Sequence, residues 1–303
     1  MTKVREDSSQ HLRAPLSVTS AEEAAFSVGI ATLQEWRTVE EWGNAEGWNV
    51  GHQDASCFHG IDPQGFFVGR LGNRLVSAVS LVNHSDKYAF WGSYVVNPEF
   101  RGQGYGRKTC KAAKSHSGRR VVGSDAMPDL VSGYSRSGAS PAHETVHYVG
   151  RPERATHAPA GVVPIGPDHL NAIAEYDSGC FPAYRRDFLA RWLWADGHIA
   201  RTRLVNGRIA GYGVIRPAPV GHRIGPLFAD TPQDAEALFD ALIAHVQPDE
   251  EVSLYMPDLT GSASTFFNDR GLTEQFRVVR MYEGGTPRIR ADHVFAVTSL
   301  EVG

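Results

Sequence analysis

No stretch of this chain approaches the roughly 18 consecutive apolar residues that a membrane-spanning helix needs. The polar start, Met1–Gln10, lacks the charged-then-apolar layout of a secretion signal. Cysteine is scarce: Cys57, Cys110 and Cys180 are odd in number and far apart. That argues against a disulfide framework or a zinc knuckle, and for buried, inert thiols in a reducing compartment. Excess charge of either sign is also missing. A net charge of −4 gives no electrostatic case for nucleic acid, and Glu22-Glu23, Glu40-Glu41 and Asp249-Glu250-Glu251 are scattered rather than clustered as a polyamine site would require. These absences point to a soluble, cytoplasmic protein with neither nucleic acid nor membrane as partner. At 303 residues, 42% hydrophobic and 21% charged, the chain is long enough for two ordinary globular domains.

What is present is concentrated in residues 95–107, Val-Val-Asn-Pro-Glu-Phe-Arg-Gly-Gln-Gly-Tyr-Gly-Arg. Apolar Val95 and Val96 read as a strand end, and Pro98 has no N–H to offer a sheet ladder. Gly102, Gly104 and Gly106 reach conformations that side-chain-bearing residues avoid, so bare backbone can approach a ligand. The N–H groups of Gly102, Gln103, Gly104, Tyr105 and Gly106 then lead into a helix whose positive dipole end favours phosphate oxygens, with Arg101 and Arg107 adding charge. Lys108, Lys111 and Lys114 give that helix a basic face, which also suits a plain solvated surface. A Walker loop is excluded because Gly106-Arg107-Lys108-Thr109 lacks the correct glycine spacing. A dinucleotide fingerprint fails as well, since the spacing is Gly-x-Gly-x-Gly with no acidic residue where one is expected.

The Arg-x-x-Gly-x-Gly spacing of Arg101–Gly106, after the Val-x-Pro-x-x-Arg-Gly strand end, resembles the acyl-CoA pyrophosphate loop of the GNAT superfamily of N-acyltransferases. The resemblance extends along the chain. Gly65–Leu71, Arg74–Asn83 and Tyr88–Val96 read as an antiparallel meander turned at Gly72-Asn73 and Asp86-Lys87. After the loop helix come a short strand, Arg119–Asp125, and a helical segment holding Tyr134 and Gly138, with Ala139 departing from the aromatic usual in the family. The implied fold class is α+β, with two GNAT-like domains, each a mixed, mostly antiparallel central sheet flanked by helices.

A second copy is expected because Met256-Pro257-Asp258-Leu259 repeats Met127-Pro128-Asp129-Leu130 and similar elements surround it. These are helices over 168–177 and 186–194, strands over 199–205, 208–216 and 222–228, a helix over 232–245 and a strand over 251–256. The expected organisation is a polar segment over 1–24, a CoA-binding domain over 25–150, a linker over 151–162 and a second module over 163–303. In the second module Ile224–Pro232 brings two prolines and Asp230 where the first has its glycine loop, and Phe267 stands near where the first has Tyr134. That copy is read as degenerate, supporting the fold or covering the acceptor site.

His143-Glu144-Thr145-Val146-His147 spells the zinc-peptidase pattern, but Pro141 and the β-branched and aromatic residues around it predict a strand. At about 3.3 Å rise per residue the two histidines would stand roughly 13 Å apart, too far for one ion. No metal is expected.

Transfer of an acyl group from a thioester to an amine needs a neutral nucleophile, a stabilised oxyanion and a proton for the thiolate. The GNAT resemblance implies that the strand carrying Val95 and Val96 splays from its neighbour, that the Val96 amide meets the thioester carbonyl, and that Tyr134 protonates the sulfur; Tyr134 equally fits a ring packed against the cofactor. Asp125 is the candidate base, with capping of the helix near Pro128 as its alternative. His52, His84 and Glu46 are further candidates. Trp48, Asn49 and Asp54 lie where the family places its acceptor-lining helices, though Asn49 and Asp54 also suit helix caps. The resulting expectation is an acetyl-CoA-dependent N-acetyltransferase acting on a primary amine of a small molecule or peptide, acetyl-CoA being a co-substrate. A homodimer is left open. The alternatives are an acyl-CoA sensor without turnover, or an enzyme of O-acyl transfer or acyl-CoA decarboxylation.

Overall fold

The computed structural model describes residues 25–154, 159–259 and 264–303. The expected 1–24 segment and the middle of the expected linker lie outside the described residues.

The first half runs β1 (Phe26–Ile30), α1 (Leu33–Ala45), α2 (Asp54–His59), β2 (Phe66–Leu71), β3 (Arg74–Asn83), β4 (Tyr88–Val96), α3 (Tyr105–Ala113), β5 (Val121–Ala126), α4 (Val131–Arg136) and β6 (Ser140–Gly150). The second half repeats the order: β7 (Val162–Pro164), α5 (Leu170–Ser178), α6 (Arg186–Trp192), β8 (Ile199–Val205), β9 (Arg208–Pro217), β10 (His222–Ala229), α7 (Pro232–Ile243), β11 (Val252–Asp258), α8 (Ser264–Asn268) and β12 (Leu272–Glu283). A short β13 (Val294–Ala296) follows. The meander and the repeat are therefore present, with the second-half helices a few residues shorter than their sequence pattern.

Local chemistry sets these elements. Thr32 and Glu35 form a reciprocal capping box at the start of α1, whose Trp36, Val39 and Gly43 recur on one buried face. The run Val76–Val82 in β3 is buried on both faces, as a central strand between two helical layers should be. On α3, Gly106, Thr109 and Ala113 face the sheet while Lys108 and Lys111 face outward.

All described strands join one sheet in the order β1-β2-β3-β4-β5-β12-β6-β11-β10-β9-β8-β7, with β13 beside β10. The last strands of the two halves are exchanged: β12 pairs with β5 of the first half, and β6 pairs with β11 of the second. β6 and β12 also pair with each other, so the two halves are continuous through their centre. The zinc-peptidase-like residues His143, Glu144 and His147 lie on β6, a strand as expected.

Residues after β13 lie between the halves. The Glu301 carbonyl sits against Gly92, His84 Nε2 lies 2.9 Å from the Val302 carbonyl, and Gly303 packs on Phe90. A Cβ at residue 92 would strike the Glu301 carbonyl. Gly92→Val is expected to cost about 1–3 kcal/mol and to raise amide hydrogen exchange selectively at residues 297–303; uniform exchange across the chain would show that this segment does not open on its own.

Candidate active site

The glycine loop is built to hold an anion. β4 ends at Val96, one turn of 3-10 helix follows over Pro98–Phe100, and Gly104 caps α3. Gly102 and Gly104 have φ of +76° and +80°, and a Cβ at either would meet open space. The space above the loop is thus free for a ligand, while the backbone there requires glycine. The α3 ladder starts with Lys108 N–H donating to the Gly104 carbonyl, so the N–H groups of the first turn precede it. Gly106 is needed for another reason: its Cβ would collide with the Tyr94 hydroxyl and come within 2.7 Å of Val96 Cγ2. Arg101 donates from Nε to the Val96 carbonyl (3.1 Å) and pairs through Nη2 with Glu46 at the C-cap of α1.

Beside the loop the sheet opens. β4 pairs in parallel with β5 from Tyr88/Val121 to Trp91/Ser124 and then leaves it. Against β3, Ser80 faces Gly92 and Ala78 faces Val95, so Ser93 and Tyr94 together oppose Val79; this bulge carries Ser93 at φ +48°. Asn97 N–H donates to the Val76 carbonyl (3.0 Å). Antiparallel alternation then turns the Val96 N–H away from β3, toward the gap left by β5.

Around that gap stand Tyr94 from β4, Cys110 from α3, Asp125 from β5 and Tyr134 from α4. Burial pushes the Tyr134 phenol above its ordinary value, and Cys110, Asp125 and Tyr94 add to the effect. Burial likewise pushes the Cys110 thiol up to about 12. Asp125 is placed differently from either sequence expectation. It caps no helix, and both its oxygens accept hydrogen bonds from Arg280 of β12, at 2.7 and 3.0 Å, with both side chains buried. A carboxylate held by two guanidinium bonds is a support for β5 rather than a free base.

Of the other candidate bases, His52 is exposed and the remaining two are engaged. Glu46 holds Arg101, and the buried His84 ring is lowered to about 3 by burial and by Arg185.

The expected acceptor residues also meet the second half. Asp54 is fully buried and takes two bonds from Arg216 of β9, at 2.8 and 3.0 Å. Burial opposes the Asp54 charge, but Arg216 outweighs it and holds the carboxyl below its usual range, with Arg223 and His198 helping. Asn49 pairs with the Val220 backbone through both its amide nitrogen (2.9 Å) and its oxygen (2.8 Å). Trp48 lies against Gly43 and lines a small cavity with Trp36, Val39, Glu40, Val50, Phe58, Ser93 and Glu301. Of the three, only Trp48 faces that space; Asn49 and Asp54 fasten the loop that carries it. The residues sequence reasoning missed, Glu40, Arg216, Arg223, Arg280 and Glu301, carry no local signal, since each acts across the boundary between halves or along a helix that reads as solvated.

The description "Acetyltransferase (GNAT) family" matches residues 20–129, and "Acetyltransferase (GNAT) domain" matches residues 173–296. Holothin acyltransferase of Pseudoalteromonas sp. (strain SANK 73390) is 32% identical over 273 residues, covering 90% of this chain and 93% of its own. The chain belongs to the GNAT acyltransferase family. A solved structure from Pyrococcus horikoshii matches 97% of this chain and 99% of its own at TM-score 0.76 and 18% identity. A GCN5-related N-acetyltransferase from Sphaerobacter thermophilus matches 88% and 98% at TM-score 0.59 and 15% identity, and a tandem GNAT protein from the clavulanic acid biosynthesis pathway matches 86% and 99% at TM-score 0.56 and 15% identity. These three share the fold.

Within this tandem GNAT chain the two modules differ at the gap itself. β10 pairs with β11 only from His222/Val252 to Ile224/Leu254 and then splays, as β4 does from β5. There β13 enters: Ala296 pairs with Leu227, and Val297 N–H donates to the Tyr255 carbonyl (2.9 Å). The second GNAT module therefore closes with its own chain the gap that the first leaves open. Its loop is also spent, because Asp230 accepts from Tyr176 (2.9 Å) and pairs with His293 and Arg290. Phe267, near the counterpart of Tyr134, is buried against Phe239. Among the described residues, no group of three or more His, Cys, Asp or Glu side chains is arranged to hold a metal ion, and no helix is long and apolar enough to cross a membrane.

Proposed function

We propose that this GNAT chain transfers an acetyl group from acetyl-CoA to the primary amine of a small molecule in a ternary complex in the cytoplasm, with one working site in residues 25–150 and a supporting second module in 163–303. One observation carries the reading: the β4/β5 gap is open beside an open glycine loop, whereas the equivalent β10/β11 gap is filled by β13. The first-turn N–H groups of α3 and Arg107 would take the pyrophosphate oxygens. Arg101 would join them on leaving Glu46. The thioester carbonyl would accept from the Val96 N–H, which faces the gap. Tyr134, kept protonated by its surroundings, would give its proton to the departing sulfur. The amine is that of holothin or a compound of similar size, because the relative bearing that name is similar along nine-tenths of this chain.

Calorimetric titration with acetyl-CoA tests the single site. One-to-one binding is expected, and two-to-one binding would mean that the second module is live. Incubation with acetyl-CoA and holothin should give the N-acetyl product by mass; hydrolysis or decarboxylation alone would remove the proposal. Tyr134→Phe is expected to keep acetyl-CoA affinity while kcat drops about 10²-fold, the low end for losing a positioned acid. An unchanged kcat would reduce Tyr134 to packing.

A further inference from the structure

The cavity bounded by Trp36, Glu40, Trp48, Ser93 and Glu301 reaches β4 at Ser93, the bulge residue three positions before Val96. Its volume of about 10 Å³ suits a single water molecule. Its polar lining is unusual for so apolar a space. Glu40 belongs to α1 but faces inward beside two tryptophans. Glu301, 7% exposed, comes from the segment after β13, and its Oε2 has no hydrogen-bond partner among the described residues. The nearest cation, Arg223 Nη2, stands 3.6 Å from that oxygen and also lacks a hydrogen-bond partner. At 3.6 Å the two form an ion pair without a close hydrogen bond, and a water beside them would complete both.

We propose that Glu40 takes the proton of the acceptor amine during acyl transfer, through one water held between Glu40, Ser93 and Glu301 Oε2. This rests on the acetyl transfer proposed above. In the step, the amine nitrogen forms its bond to the acyl carbon as the carbon–sulfur bond breaks. The nitrogen loses a proton to the water, which gives one to Glu40, while the sulfur gains the Tyr134 proton; exchange with solvent restores both groups. The groups facing Glu40 agree with this role. Burial, reinforced by the Asp54 and Glu301 carboxylates, pushes its carboxyl up to about 9, with Arg37 and Arg223 opposing. A carboxyl at that level accepts a proton only in its ionised fraction, which grows as pH rises toward 9. The second module thereby gains a part in the chemistry, because Glu301 and Arg223 come from it.

Glu40→Gln is the test, in the full chain. With acetyl-CoA and holothin, kcat is expected to fall about 10²-fold with acetyl-CoA affinity unchanged, and the rise of wild-type kcat toward pH 9 should be lost. A second readout needs no acceptor. A folded carboxyl at about 9 against an ordinary 4.5 binds a proton that the unfolded chain has released, so the wild type loses stability as pH rises between those values. Glu40→Gln should therefore melt higher than the wild type at pH 8 and alike at pH 4, the opposite of removing a structural contact. An unchanged kcat and pH profile, or a lower melting temperature at pH 8, would overturn the proposal. Failure of the wild type to bind acetyl-CoA would overturn the acetyl-transfer reading itself, and this one with it.

Discussion

In an Arg101→Ala/Gly104→Val variant, acetyl-CoA affinity is expected to fall by about 10²-fold or more, with the fold intact. Two effects combine. A β-branched residue at φ +80° costs about 1–2 kcal/mol in backbone strain, and it places methyl groups in the open space where phosphate oxygens would approach the α3 N–H groups. Loss of Arg101 removes a charge-assisted bond of about 1.5–3 kcal/mol, reduced by exposure and by Glu46, which competes for the guanidinium. Calorimetry measures the affinity, and circular dichroism checks that the helices persist. Retained affinity would mean that CoA binds elsewhere and that the loop is only a turn.

The second large effect concerns stability. Asp54 and Arg216 are buried, 162 residues apart in sequence, and joined by two bonds. Removing one partner leaves an unpaired buried charge, so Arg216→Ala is expected to destabilise by about 3–5 kcal/mol and to lower Tm by roughly 10 °C. An Asp54→Leu/Arg216→Met chain, which removes both charges and keeps volume, should recover most of that loss. If the double variant is no more stable than Arg216→Ala, the pair acts through shape rather than charge compensation.

The glycine loop, the meander and the repeated order of elements were legible because each rests on local rules. Pro98, Gly102 and Gly104 set the backbone where they stand, and the short apolar, β-branched run in Arg74–Asn83 marks a strand without reference to distant residues. The repeat of Met127–Leu130 in Met256–Leu259 marked nearby places, just after β5 in one half and in the last residues of β11 in the other. What did not follow was pairing across the halves. Asp125 reads as a cap because Pro128 follows it, and only the placement of β12 beside β5 brings Arg280 to it. Likewise Asn49 and Asp54 read as caps until β9 and its turn supply Arg216 and Val220. Glu40 stands in a run with Glu41 on a helix that reads as solvated, so its inward face becomes visible only when the residues after β13 cover it. Sequence spacing carries chemistry along one element, but contacts between residues more than a hundred positions apart depend on sheet order.

The exchange of β6 and β12 also has a consequence for synthesis of the chain. The first module's β5 must wait for a strand about 155 residues downstream, which at 5–20 residues per second means roughly 10–30 s on the ribosome with one edge unpaired. An open strand edge in a nascent chain is a template for wrong pairing. β6 is the neighbour at hand during that interval, and antiparallel pairing of β5 with β6 would complete the first module by itself. If that pairing forms first, the final sheet requires displacement of one strand by another, and folding speed and yield should then respond to substitutions in β6 and β12 that leave the finished site untouched.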